Sequence, residues 1–175
     1  DWLVSVQLST FLSVCVVGTM LTLTAPGVAA DATISQTFSY TGVATTFTVP
    51  SGVTSLGVTL KGGQGGRGGH DSQGTPETGG FAGLVQGTMS VAPGDVLTIA
   101  VGGGGGTGVS GAGNGAGGTG GLNPLAGFDG GVGGRTGNLG GSGAGGGGGA
   151  ASVIQVGATQ VVAAGAGGNG GSGQF

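Results

Sequence analysis

The chain has 175 residues, of which 51 are Gly, three are Lys or Arg, six are Asp or Glu and one is Cys. Runs such as Gly102–Gly106 and Gly145–Gly149 break the Gly-at-every-third register of collagen, and five Pro are too few for it. A lone cysteine cannot staple a mini-protein, and a net charge of -3 leaves no basic footprint for nucleic acid or an anionic membrane surface.

Residues 2–30 carry no charge. Phe11–Leu23 is an apolar run of signal-peptide length. Ala25-Pro26-Gly27 follows as a helix breaker, and Val28-Ala29-Ala30 is a small-x-small site that fits cleavage between Ala30 and Asp31. Residues 1–30 therefore read as a signal peptide without its basic start and initiator Met, and the mature chain as secreted or displayed at the cell surface. A retained anchor is the alternative, since Trp2–Leu23 nearly reaches across a bilayer core of about 30 Å. Ser5, Gln7, Ser9 and Thr10 favour removal.

Past Asp31 the local pattern is that of strands. Phe38 and Tyr40, then Phe47 and Val49, repeat with a period of two, and Pro50-Ser51-Gly52 turns the chain. Leu56, Val58 and Leu60 alternate with Ser55, Gly57 and Thr59, which predicts a strand with one face on a core. Leu84–Val91 and Val96–Val101 flank Ala92-Pro93-Gly94-Asp95 and predict a hairpin; Ser152–Val156 and Thr159–Ala164 flank Gly157-Ala158 and predict a second. No stretch after the leader has apolar residues at helical spacing, and Gly costs a helix roughly 1 kcal/mol per position. No α-helix is expected in the mature chain.

Glycine is uneven: 5 fall in residues 1–60 and 46 in residues 61–175, with 27 in the fifty positions 102–151. A flexible tether is one outcome. The other is a bundle of left-handed three-residue helices of the polyglycine II type, close enough for backbone bonds between neighbours. Ordering 27 glycines costs roughly 30–50 kcal/mol, against about 0.5–1.5 kcal/mol returned per bond. Such a bundle holds only if strands pin its ends and neighbours pair on several sides. Asn114, Asn123-Pro124, Asp129-Gly130 and Asn138 supply turn signals at intervals suited to short legs.

Thr46–Gly66 (TFTVPSGVTSLGVTLKGGQGG) resembles the opening of the glycine-rich domain shared by anaplastic lymphoma kinase and leukocyte tyrosine kinase ectodomains and by bacterial and phage surface proteins. Gly79–Gly106 resembles that family's strand, Pro-Gly hairpin and polyglycine exit. Gly145–Ile154 and Val161–Gly168 resemble its later polyglycine-to-strand step and closing strand. The resemblance spans roughly residues 38–175. It implies an all-β fold, a jelly-roll or tumour-necrosis-factor-like β-sandwich with an inserted polyglycine bundle at 102–151. It implies one glycine-rich β domain over 31–175 that continues past Phe175. It also implies a non-catalytic extracellular module whose partner is an extracellular protein or cell-surface ligand. The receptors' cysteines are absent, and no ligand-contact residue carries over.

Chemistry-bearing residues are few. Matches to G-x-G-x-x-G arise by chance at this glycine content, no Ser stands in G-x-S-x-G, and Lys61 lacks the spacing of a phosphate loop. His70-Asp71 is the one base–carboxylate pair, and adjacent residues rarely orient one another for catalysis. Asp71, Glu77, Asp95 and Asp129 are scattered. No catalytic residue, cofactor site or metal site is expected. The most polar stretch, Arg67–Thr78, supplies the candidate partner loop, with Arg67, His70, Asp71 and Glu77 as its charged or titratable members. The functional expectation is adhesion or protein binding. A passive envelope or wall-matrix component is the rival, and ice binding is a third reading that no regular Thr array supports.

Overall fold

The computed structural model describes residues 3–9, 33–70, 77–111, 115–136 and 143–171; among them are eight strands and no helix. The strands are β1 (Leu3–Ser9), β2 (Thr33–Ser39), β3 (Thr45–Thr48), β4 (Ser55–Lys61), β5 (Leu84–Ser90), β6 (Val96–Ala100), β7 (Ser152–Val156) and β8 (Thr159–Ala163). They form two antiparallel four-stranded sheets, ordered β2-β1-β4-β5 and β3-β6-β7-β8.

The alternation along β4 does what its pattern predicts. Leu56, Val58 and Leu60 are buried while Ser55, Gly57 and Thr59 stay half-open. Both sheets feed a single hydrophobic cluster: Phe38, Leu56, Val58, Leu60 and Met89 come from the first, and Leu97, Ile99, Ile154 and Ala163 from the second. Phe38 on β2 meets Phe47 on β3 edge to face, with ring centroids 6.4 Å apart. Each fully buried Leu or Ile contributes about 1.5–3 kcal/mol, so this cluster is the main apolar anchor of the molecule.

One predicted hairpin forms and the other does not. β7 and β8 pair across Gly157-Ala158, with Gly157 at a φ of 55° that an L side chain would strain. The turn at Ala92–Asp95 is also present, closed by Ala92 N–H donating to Asp95 Oδ2 at 2.7 Å. Yet its flanking strands lie in different sheets: β5 pairs with β4, and β6 with β3 and β7. The reason is local. Gly94 N–H donates to the Val49 carbonyl, and Val49 N–H to the Asp95 carbonyl, at 2.9 and 2.8 Å. The turn is thus bonded to the end of β3 and delivers β6 to that strand's ladder.

The first strand lies in the stretch read as a leader. Leu3–Ser9 pairs along seven positions with β2 and along five with β4, so it fills the space between them. Ala30 and Asp31, the expected cleavage point, are outside the described residues.

The glycine-rich segments form an ordered hydrogen-bonded array built onto one end of the sheets. Six extended stretches, 62–69, 102–109, 115–122, 128–136, 143–151 and 164–171, exchange backbone bonds in steps of three residues. Segment 143–151 is central. Ala144, Gly147 and Ala150 donate to Val109, Gly106 and Gly103; Gly145, Gly148 and Ala151 donate to Gly134, Gly131 and Phe128; Gly146 and Gly149 donate to Asn169 and Ala166. The array is therefore wider than the 102–151 insertion expected from sequence, because 62–69 and 164–171 belong to it.

Glycine is required by proximity. A Cβ at Gly63, Gly66 or Gly149 would collide with the carbonyl of Gly103, Gly106 or Gly63. The array is locked to the sheets by Ser152, fully buried, whose Oγ donates to the Lys61 carbonyl (2.7 Å) and accepts from Gly102 N–H (2.9 Å).

Candidate functional site

The direction of the segments decides where the polar residues go. Strand β4 runs outward into 62–69, β6 into 102–109 and β8 into 164–171, so residues near 69, 109 and 170 lie at the end of the array remote from the sheets. Arg67 is exposed there, and its carbonyl accepts from Gly108 N–H at 2.9 Å. His70 is half-buried, its backbone N–H donating to Ser110 Oγ at 3.1 Å. Glu77 is exposed and accepts from Asn169 Nδ2 at 3.3 Å on Oε2. The structure thus ties three of the four candidate loop residues to neighbouring segments; Asp71 lies outside the described residues. Arg67, with Gln64, Thr78 and Thr107, borders a small recess of about 190 Å³.

The start of the expected loop is not loop. Gly69 N–H donates to the Ala144 carbonyl at 2.7 Å, and a Cβ at Gly68 would run into Gly170. Arg67 is therefore held on the array backbone itself. Among the described residues no three His, Cys, Asp or Glu side chains are grouped as a metal site would require.

A second turn is built from side chains. Asn123 Nδ2 donates to the Ala151 carbonyl (2.6 Å), its Oδ1 accepts from Leu125 N–H (2.7 Å), and Asp129 Oδ1 accepts from Asn123 N–H (2.6 Å). Asn123-Pro124 and Asp129-Gly130, read from sequence as two turns, therefore close one reversal between 115–122 and 128–136. Several apolar side chains between the glycines face outward: Phe81 is 88% exposed, Val132 81% and Leu122 62%.

An open groove of about 1000 Å³ runs along the array, a feature not visible in the residue string. Its floor is segment 143–151 and its walls are 128–136 and 164–171. A three-residue spacing of glycines was its one sequence signal, and the polyglycine runs around it hide that spacing. Comparison with family models, with curated proteins and with solved structures finds no match. No helix among the described residues is long and apolar enough to cross a membrane.

Proposed function

We propose that the chain is a secreted or cell-surface, non-catalytic glycine-rich module for adhesion or protein binding, of the kind its sequence resembles. In this reading the two sheets stack as a jelly-roll or tumour-necrosis-factor-like sandwich, and the six glycine segments are polyglycine II helices serving as a rigid stalk. Such helices rise about 3.1 Å per residue, so legs of eight residues extend roughly 25 Å from the sheets.

The observation that carries the proposal is the placement of Arg67, His70 and Glu77 at the far end of a backbone-bonded array. A stiff support that holds polar groups away from the core suits recognition, because little loop entropy remains to be lost on contact. The test is binding of the labelled full chain to purified cell-surface proteins, repeated after Arg67–Thr78 is replaced by a Gly-Ser sequence of equal length. Loss of binding supports the proposal. Undiminished binding excludes Arg67–Thr78 as the contact surface, and no binding with either chain points to a passive matrix component instead.

A further inference from the structure

The central segment 143–151 has hydrogen-bonded neighbours on five sides, in the order 62–69, 102–109, 115–122, 128–136 and, closing back on 62–69, 164–171. Consecutive neighbours are also bonded to each other, as in Gly105 to Gln64, Gly106 to Thr119, Gly133 to Gly118 and Ala166 to Gly63. The ring is open at one place. Between 128–136 and 164–171 there is no segment among the described residues, and the groove lies there.

The backbone groups on either side of this gap define what it would accept. At positions 144, 145, 147, 148 and 150 the carbonyl of the central segment accepts an N–H from one neighbour and abuts the α-carbon of the next. Gly147 O accepts from Gly66 and abuts Gly105; Gly145 O accepts from Gly118 and abuts Gly133. The carbonyls of Gly146 and Gly149, both buried residues, abut Gly168 and Gly165 but accept no N–H among the described residues. By the same pattern the missing donor belongs in the groove. On the walls, the N–H groups of Gly131, Gly134, Gly165 and Gly168 find no acceptor among the described residues.

The floor repeats the point. A Cβ at Gly146, Gly147 or Gly149 would strike a neighbouring carbonyl, whereas at Gly148 it would come no nearer than 3.4 Å to Ala166 O and Gly131 N. Glycine at 148 is thus not required by the described chain, and it leaves the floor bare.

We propose that the groove seats an extended glycine-rich peptide strand of a partner chain, which completes the ring around 143–151. The occupant donates N–H groups to Gly146 and Gly149 and offers carbonyls to both walls, all at three-residue spacing. Its inward residues are glycines, because no Cβ fits where carbonyls approach as they do elsewhere in the array. Peptides with ordinary side chains are excluded sterically, which makes the site selective for sequence through backbone fit. The inference rests on the reading of the chain as a binding module and names its partner class.

The experiment is a fluorescence-anisotropy titration of the full chain with a labelled nine-residue Gly-Gly-Ser repeat, alongside an Ala-Ala-Ser repeat of equal length. Saturable binding of the glycine peptide alone is expected. Gly148→Val should weaken it at least tenfold, whereas Gly87→Ala, a β5 position whose added Cβ meets nothing within 4 Å, should leave it unchanged. Circular dichroism and the urea midpoint establish that both variants fold; if Gly148→Val does not, Gly148→Ala takes its place.

Absence of glycine-peptide binding, equal binding of both peptides, or indifference to the floor variant overturns the inference. So does concentration-dependent self-association that the floor variant abolishes, which would make the occupant a second copy. Binding to cell-surface proteins through Arg67–Thr78 is measured separately, so that loss of either property leaves the other readable.

Discussion

Replacing Gly147 by Ala and, separately, Gly131 by Ala adds the same methyl group to two positions with opposite surroundings. At Gly147 a Cβ would collide with the Thr119 carbonyl; at Gly131 it would meet nothing within 4 Å. Clearing the collision forces 143–151 away from its neighbours and strains two bonds, Gly147 N–H to Gly106 O (2.9 Å) and Gly66 N–H to Gly147 O (2.7 Å). Two such bonds are worth roughly 1–3 kcal/mol net, and overpacking adds roughly 1–3 kcal/mol. The entropy that Ala removes from the unfolded chain offsets only about 0.4–1 kcal/mol. Gly147→Ala is therefore expected to destabilise by roughly 2–5 kcal/mol, whereas Gly131→Ala keeps only the entropic gain. With a urea m-value of about 2 kcal/mol/M, the midpoint falls by on the order of 1–2.5 M for the first variant and rises slightly for the second. Equal midpoints for the two variants would refute close backbone packing in the array. Hydrogen exchange gives an independent check, since the amides of 144–151 should exchange far more slowly than that of Gly131.

Three further outcomes follow from individual contacts. Ser152→Ala leaves Gly102 N–H and the Lys61 carbonyl without their shared partner at the sheet–array junction. A loss of roughly 1–3 kcal/mol is expected by chemical denaturation, and no loss would mean that the junction does not depend on this hydroxyl. Asn123→Ala removes two side-chain bonds of the reversal before 128–136. Faster exchange at the amides of Leu125 and Gly130 is the expected sign, at a cost of roughly 1–3 kcal/mol. Removal of residues 1–30 deletes a strand paired at seven positions with β2 and five with β4. Ladder bonds at about 0.5–1.5 kcal/mol each then rival the roughly 5–15 kcal/mol of a whole domain. A chain starting at Asp31 should lose cooperative melting, and a synthetic Leu3–Ser9 peptide should restore it. Unchanged melting would show that the slot between β2 and β4 does not need this strand.

The strands were legible because their signals are local. Period-two burial at Leu56, Val58 and Leu60 follows from the pleat alone, and Gly157-Ala158 reverses the chain whatever surrounds it. Leader-like composition hid β1, although Val4, Val6 and Leu8 alternate with Ser5, Gln7 and Ser9 at the period of a strand. The candidate loop was half legible. Its polarity marked Arg67, His70 and Glu77, but the backbone pairing that extends the array through Gly69 was not visible in the residue string.

What the sequence by itself determined is where chain elements begin, turn and alternate, and that side chains would be too sparse to fill the glycine-rich half. Only the tertiary structure decided which backbones meet. The Pro-Gly turn joins two sheets because Val49 claims its polar groups, and among the described residues the ring around 143–151 closes on five sides but not the sixth. Side chains normally encode such choices through shape. Glycine has none, so registry among glycine segments is set by hydrogen bonds between residues distant in the chain and by the strands that hold their ends.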